Sequence, residues 1–215
     1  MAKKYDFQRV KPYPLFRALV AIARVIAAVA FRVKVYGREN LPKMTGGYIL
    51  VCNHLHSIDP AFLLTTSHRM WRFIAKKELF RNPVAAWILT QANAFPIDRE
   101  IIDRKALDYA ATVMDDKRAG LGIFPEGQRS PDGTPQPAKG GTAMLARKTK
   151  ANIIPASIYH EGKLCFRRKI TVHYGEPILF EDLGLGDTPN ARQTREASAK
   201  IMEAIQTLWE KGHNP

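Results

Sequence analysis

The 215-residue chain contains only two cysteines, Cys52 and Cys165. Two thiols cannot build the disulfide framework of a small secreted domain, so the sequence reads as that of a reduced, cytosolic chain. Acidic residues are also few. Twenty Asp and Glu stand against 33 Lys and Arg, a net charge of +13. An excess of that size predicts attraction to an anionic partner: nucleic acid, a membrane surface or a phosphate-bearing substrate. The sequence has no internal repeat, linker or low-complexity tract, which excludes fibrous and disordered classes. A clean membrane span is missing too. The apolar stretch at 13–32 has the length, but Arg17 and Arg24 interrupt it. No small-residue cleavage site follows it, only Phe31-Arg32-Val33-Lys34, so it is not a signal peptide. What remains is ordinary globular composition, 46% hydrophobic and 25% charged, in a length that allows one large domain.

The charge is unevenly placed. Residues 1–43 hold ten Lys and Arg against Asp6 and Glu39, so +8 of the +13 lies there. Arginines within an apolar stretch, flanked by further basic residues, predict an amphipathic helix lying on or partly in an anionic bilayer. The alternative is a core helix packed under the domain. Nucleic acid is the less favoured partner, because no base-reading motif accompanies the charge. We therefore expect a basic membrane-docking segment at 1–43 and a globular domain at 44–215.

Beyond that segment, short apolar or β-branched runs alternate with helical patterns. Strands are expected at 34–36, 47–52, 72–75, 94–97, 121–124, 152–159 and 169–174. Asn82-Pro83 reads as a cap and first-turn proline opening a helix to Gln91. Helical periodicity recurs at 102–117, 142–148 and 190–212. This alternation predicts an α/β fold with a mostly parallel central sheet flanked by helices. Such sheets carry their chemistry at the carboxyl ends of the strands.

Polar residues follow three of the expected strands. Asn53-His54-Leu55-His56-Ser57-Ile58-Asp59-Pro60 follows the second, Asp98-Arg99 the fourth and Pro125-Glu126-Gly127-Gln128-Arg129-Ser130 the fifth. His54 and Asp59 are five apart, about 140° off on a continuous helix, but a strand–turn–helix junction can bring them together. An imidazole oriented by a carboxylate suits a general base. Asp59 acting only as a helix cap is an equal reading of the spacing. His54, His56 and Asp59 are also a candidate metal set, needing a third histidine such as His68, His160 or His173. Cys52 with His54 as its base is a further arrangement, although Cys52 lies in an apolar run. Arg99 and Arg129 read as anion clamps, and a turn at Glu126-Gly127 places Glu126 to pair with Arg129.

Taken together, these residues resemble the glycerolipid acyltransferases of the 1-acylglycerol-3-phosphate type. His54-x4-Asp59 is similar to the family's H-x4-D. Phe95-Pro96-Ile97-Asp98-Arg99 resembles its second block. Phe124-Pro125-Glu126-Gly127-Gln128-Arg129-Ser130 resembles its F-P-E-G-T-R-S, and Ile153-Ile154-Pro155-Ala156 its fourth block. Four blocks in order carry far more weight than H-x4-D alone. Two positions depart from the pattern: His56 stands where the family usually has Ser, and Gln128 replaces Thr.

The resemblance implies transfer of a fatty acyl group from a coenzyme A or acyl-carrier-protein thioester to the sn-2 hydroxyl of a lysophosphatidate, with no cofactor or metal. It implies His54 as base and Asp59 as its orienting partner. It assigns Lys76, Arg99, Glu126, Gly127 and Arg129 to the substrate phosphate and, with the basic N-terminal segment, places the enzyme at the cytoplasmic face of the cell membrane, peripheral or monotopic. The segment Val84-Ala85-Ala86-Trp87-Ile88-Leu89 is expected to line an acyl groove or to pack in the core. Alternatives are an acyltransferase for another lysophospholipid or lyso-aminolipid, a non-catalytic anionic-lipid-binding protein, and a metal-dependent hydrolase.

Overall fold

A computed structural model describes residues 5–7, 14–98, 104–115 and 119–213. Seven strands form one sheet: β1 Phe31–Tyr36, β2 Tyr48–Cys52, β3 Trp71–Lys76, β4 Phe95–Ile97, β5 Gly120–Ile123, β6 Asn152–Tyr159 and β7 Arg168–Tyr174. Their order is β1-β7-β6-β2-β5-β3-β4. Every pairing is parallel except β6 with β7. The α/β class and mostly parallel sheet expected from the alternation are therefore present. So are all seven expected strands, shifted by a few residues at their ends.

Among the described residues six α-helices flank the sheet: α1 Phe16–Ala30, α2 Asp59–Ser67, α3 Pro83–Gln91, α4 Arg104–Asp115, α5 Gly141–Thr149 and α6 Ala191–His213. Asn82 caps α3 as expected, its side chain accepting from Val84 N and Ala85 N, with Pro83 at the first position. Two apolar layers sandwich the sheet. Phe62, Leu63 and Leu64 of α2 pack with Leu50, Cys52, Ile170 and Val172. Ala110 and Val113 of α4, Leu145 of α5 and Ile201 and Ile205 of α6 pack with Ile49, Val51 and Leu121 on the other side. The successive side chains of β2 thus feed both layers, as a strand covered on both faces requires. Each fully buried aliphatic side chain contributes roughly 1.5–3 kcal/mol. At Gly122 a Cβ would stand 2.3 Å from the Phe73 ring, so β5 approaches β3 only because that position is bare.

Part of the segment 1–43 belongs to the sheet. Its β1 pairs with β7 across six residues and forms the sheet's edge, and α1 lies against α2. Yet α1 is buried only at Phe16, and Ile22, Val25, Ile26 and Val29 are each more than half exposed. α1 therefore packs on the domain through one side, with Phe16, Val20 and Ala27, and leaves its other side open. Among the described residues no helix is long and apolar enough to cross a membrane.

Candidate active site

β2 delivers Asn53 and His54 to the carboxyl edge of the sheet, and α2 begins five residues later at Asp59. Asn53 is fully buried and bridges to β6, donating to Ile158 O at 3.0 Å and accepting from Ile158 N at 2.9 Å. The chain then folds in a tight turn, with Asp59 N donating to His56 O. This turn brings His54 Nδ1 within 2.8 Å of Asp59 Oδ2.

Asp59 has no solvent exposure. The same Oδ2 accepts from Leu55 N at 2.7 Å and His56 N at 2.8 Å. Two backbone amides thus satisfy this buried carboxylate oxygen. The third bond, to a carboxylate oxygen, is one that His54 donates from Nδ1, which leaves Nε2 as the ring nitrogen not engaged by Asp59. The Phe124 ring stacks on the imidazole at 4.1 Å between centroids.

The loop after β5 secures His54 from its backbone. Glu126 Oε1 accepts from His54 N at 2.9 Å, and Ser130 N donates to His54 O at 2.7 Å. Glu126 is 2% exposed. It was expected among the phosphate ligands and beside Arg129; it lies beneath His54, held there by the amide it accepts. Burial pushes its pKa up to about 7, against the pull of the His54 and Gln136 amides, and Asp59 and Asp132 add repulsion.

Gly127 follows with φ +70°, in the left-handed region. A Cβ there would lie 3.0 Å from Lys139 Cδ and 3.5 Å from Lys139 Nζ. Lys139 is anchored by its own N–H, which donates to Pro125 O at 2.8 Å. This cation was missed in the sequence, where only the flanking Gly140-Gly141 hints that its backbone must turn. Arg129 is exposed on the same loop. Beyond it, Asp132 Oδ1 accepts from Ser130 Oγ, Thr134 N and Oγ1, and Gln136 Nε2, so the loop is internally braced. Those bonds, first of all the Thr134 amide, lower the Asp132 pKa to about 2.

Lys76 ends β3 with its side chain half exposed, 3.7 Å from Glu78. Its neighbour Lys77 is held by Asp98 at 2.5 Å, tying the ends of β3 and β4. Arg99 lies outside the described residues. The other arrangements considered for His54 fare poorly. Cys52 is fully buried, and burial, with Asp59 and Glu126 nearby, raises its thiol pKa well above the usual range. His56 turns Nδ1 back toward Ile58 N at 3.4 Å. Asp59 Oδ2 is already taken by His54, so the three residues do not converge as a ligand set. His160, one of the histidines considered as a third ligand, follows β6; burial lowers its pKa, and the charges of Asp59 and His56 also act on it.

A family profile described as Acyltransferase matches residues 32–159. The 1-acyl-sn-glycerol-3-phosphate acyltransferase of Bacillus subtilis is 31% identical over 192 residues, covering 87% of this chain and 94% of that protein. The enzyme of the same name from Streptococcus pneumoniae is 29% identical over 205 residues, covering 93% and 72%. The fold is that of the crystal structure of the 1-acyl-sn-glycerophosphate (LPA) acyltransferase, PlsC, from Thermotoga maritima. The TM-score is 0.70 at 24% identity, over 93% of this chain and 81% of that one. The chain therefore belongs to the acyltransferase family that its motifs resemble, among relatives named 1-acyl-sn-glycerol-3-phosphate acyltransferases.

Proposed function

We propose that this enzyme transfers a fatty acyl group from a coenzyme A or carrier-protein thioester to the sn-2 hydroxyl of 1-acylglycerol-3-phosphate, giving phosphatidate. The observation that carries the mechanism is the buried Asp59 carboxylate, which holds His54 with Nε2 free to accept a proton. As the acceptor oxygen attacks the thioester carbonyl, His54 Nε2 takes its proton. The tetrahedral intermediate collapses, the C–S bond breaks, and the thiolate leaves and recovers the proton from His54. A thioester is activated enough that no covalent enzyme intermediate is required. Gly127 and Arg129, with Lys76, Arg99 and the newly located Lys139, supply the phosphate site. Glu126 positions the base.

The exposed apolar residues of α1 and Val84, Trp87 and Ile88 of α3 (46–66% exposed) support docking on a lipid surface. Leu15 N, at the start of α1, donates to Gln91 Oε1 at the end of α3, so these two helix ends meet. We assign the enzyme a peripheral place at the cytoplasmic face of the membrane.

The test is an acceptor panel with one acyl thioester, read by thiol release and lipid analysis. Lysophosphatidate should be acylated with the highest kcat/KM. Preference for glycerol 3-phosphate or an uncharged lysolipid would overturn the acceptor assignment while leaving the chemistry.

A further inference from the structure

Two grooves of about 720 and 570 Å³ run along α1, and both are lined by Arg24 and His68. One wall carries Arg17 and Arg24 of α1. The other carries Arg38 from the turn after β1, and Arg69 beside the C-terminal cap of α2. Neither groove is lined by an acidic residue. Arg69 has a structural duty, donating from Nε to Pro42 O. For Arg17, Arg24 and Arg38 no ion pair with a described residue exists. Their convergence is felt at His68, whose pKa falls through burial and through the charges of Arg38, Arg24 and Arg69.

The helix geometry says what this trench faces. At about 100° per residue, Arg17 and Arg24 lie within about 20° of each other on α1. They separate the inward side, with Phe16, Val20 and Ala27, from the outward side, with Ile22, Val25, Ile26 and Val29. If the outward side enters the acyl chains, the arginine row sits at headgroup level. Guanidinium groups in a concave, acid-free setting suit phosphate oxygens.

We propose that the trench between α1 and the C-terminal half of α2 seats the phosphate of an anionic membrane phospholipid, a docking lipid separate from the reacting acceptor. The occupant follows from charge complementarity and from continuity with the exposed apolar face. The inference rests on the docking reading above.

The experiment is co-sedimentation of the full chain with vesicles of phosphatidylcholine alone, or with about 30 mol % phosphatidylglycerol. Arg24→Gln/Arg38→Gln is compared with Lys105→Gln/Arg195→Gln, an equal charge loss on α4 and α6 at the opposite face. The trench pair should weaken binding to anionic vesicles about tenfold and the control pair less than about twofold. Binding to neutral vesicles should be unchanged in both. Arg24→Lys/Arg38→Lys should recover part of the loss, and an unchanged Tm certifies folding. Equal losses in both pairs would show that only the overall field matters and overturn the site, as would a trench pair that binds like wild type. A wild-type protein that binds no vesicle of either kind would instead sink the docking reading beneath it.

Discussion

Glu126 Oε1 accepts the backbone N–H of His54 at 2.9 Å, across 72 residues of chain. With the Ser130 amide on His54 O, this holds the base from both backbone sides. Asp59 and Phe124 hold its ring. The loop after β5 is thus part of the base's scaffold as well as the carrier of Arg129.

The buried Glu126 makes stability pH-dependent. Its folded pKa, about 7, lies above the ordinary 4.5, so the protonated form is favoured in the fold. The contribution is fully present below pH ~4.5 and is lost as pH rises through about 7. The shift corresponds to roughly 3 kcal/mol at most. Glu126→Gln removes the titration and keeps an acceptor for His54 N. The variant should gain stability relative to wild type between pH 5 and pH 8, measured by urea unfolding. An identical difference at both pH values would contradict the buried ionisation.

Gly127→Ala should act on the acceptor rather than the base. A side chain at φ +70° costs roughly 1–2 kcal/mol, and the new methyl presses on Lys139 Cδ. KM for the phosphorylated acceptor should rise severalfold with a smaller change in kcat. A fall in kcat alone would remove Lys139 from the phosphate site.

Val25→Asp/Ile26→Asp should separate docking from folding. Both side chains are more than half exposed, so urea midpoints should hardly move. Binding to neutral vesicles should drop at least about tenfold, because two apolar groups leave the lipid phase. Unchanged vesicle binding would take α1 out of the membrane contact.

Much of this was legible in the chain. Alternation of strand and helix patterns carried the sheet, and Asn82-Pro83 carried the start of α3, because caps and periodicity are local. His54-x4-Asp59 named the dyad, but its spacing alone left base and helix cap equal. The turn closed by Asp59 N and His56 O decides that they meet. The bond from the His54 amide to Glu126 was hidden for a related reason. A conspicuous carboxylate in a polar loop reads as exposed, and only the packing of two loops shows it beneath His54. Lys139 and the trench arginines were illegible as sites because residues distant in sequence converge there. The role of β1 as a sheet edge was hidden by a six-residue strand that alternates basic and apolar residues.

The central claim is that His54, oriented by Asp59, takes the acceptor's proton. Steady-state acyl transfer by Asp59→Asn, with thioester and lysophosphatidate both varied, tests it most directly. An amide in place of the carboxylate keeps the shape but loses the anion that holds the proton on Nδ1. The account predicts kcat lower by about 10²–10⁴, KM for both substrates within a few-fold, and no recovery in His54→Ala/Asp59→Asn beyond either single variant. A kcat within a few-fold of wild type would contradict it.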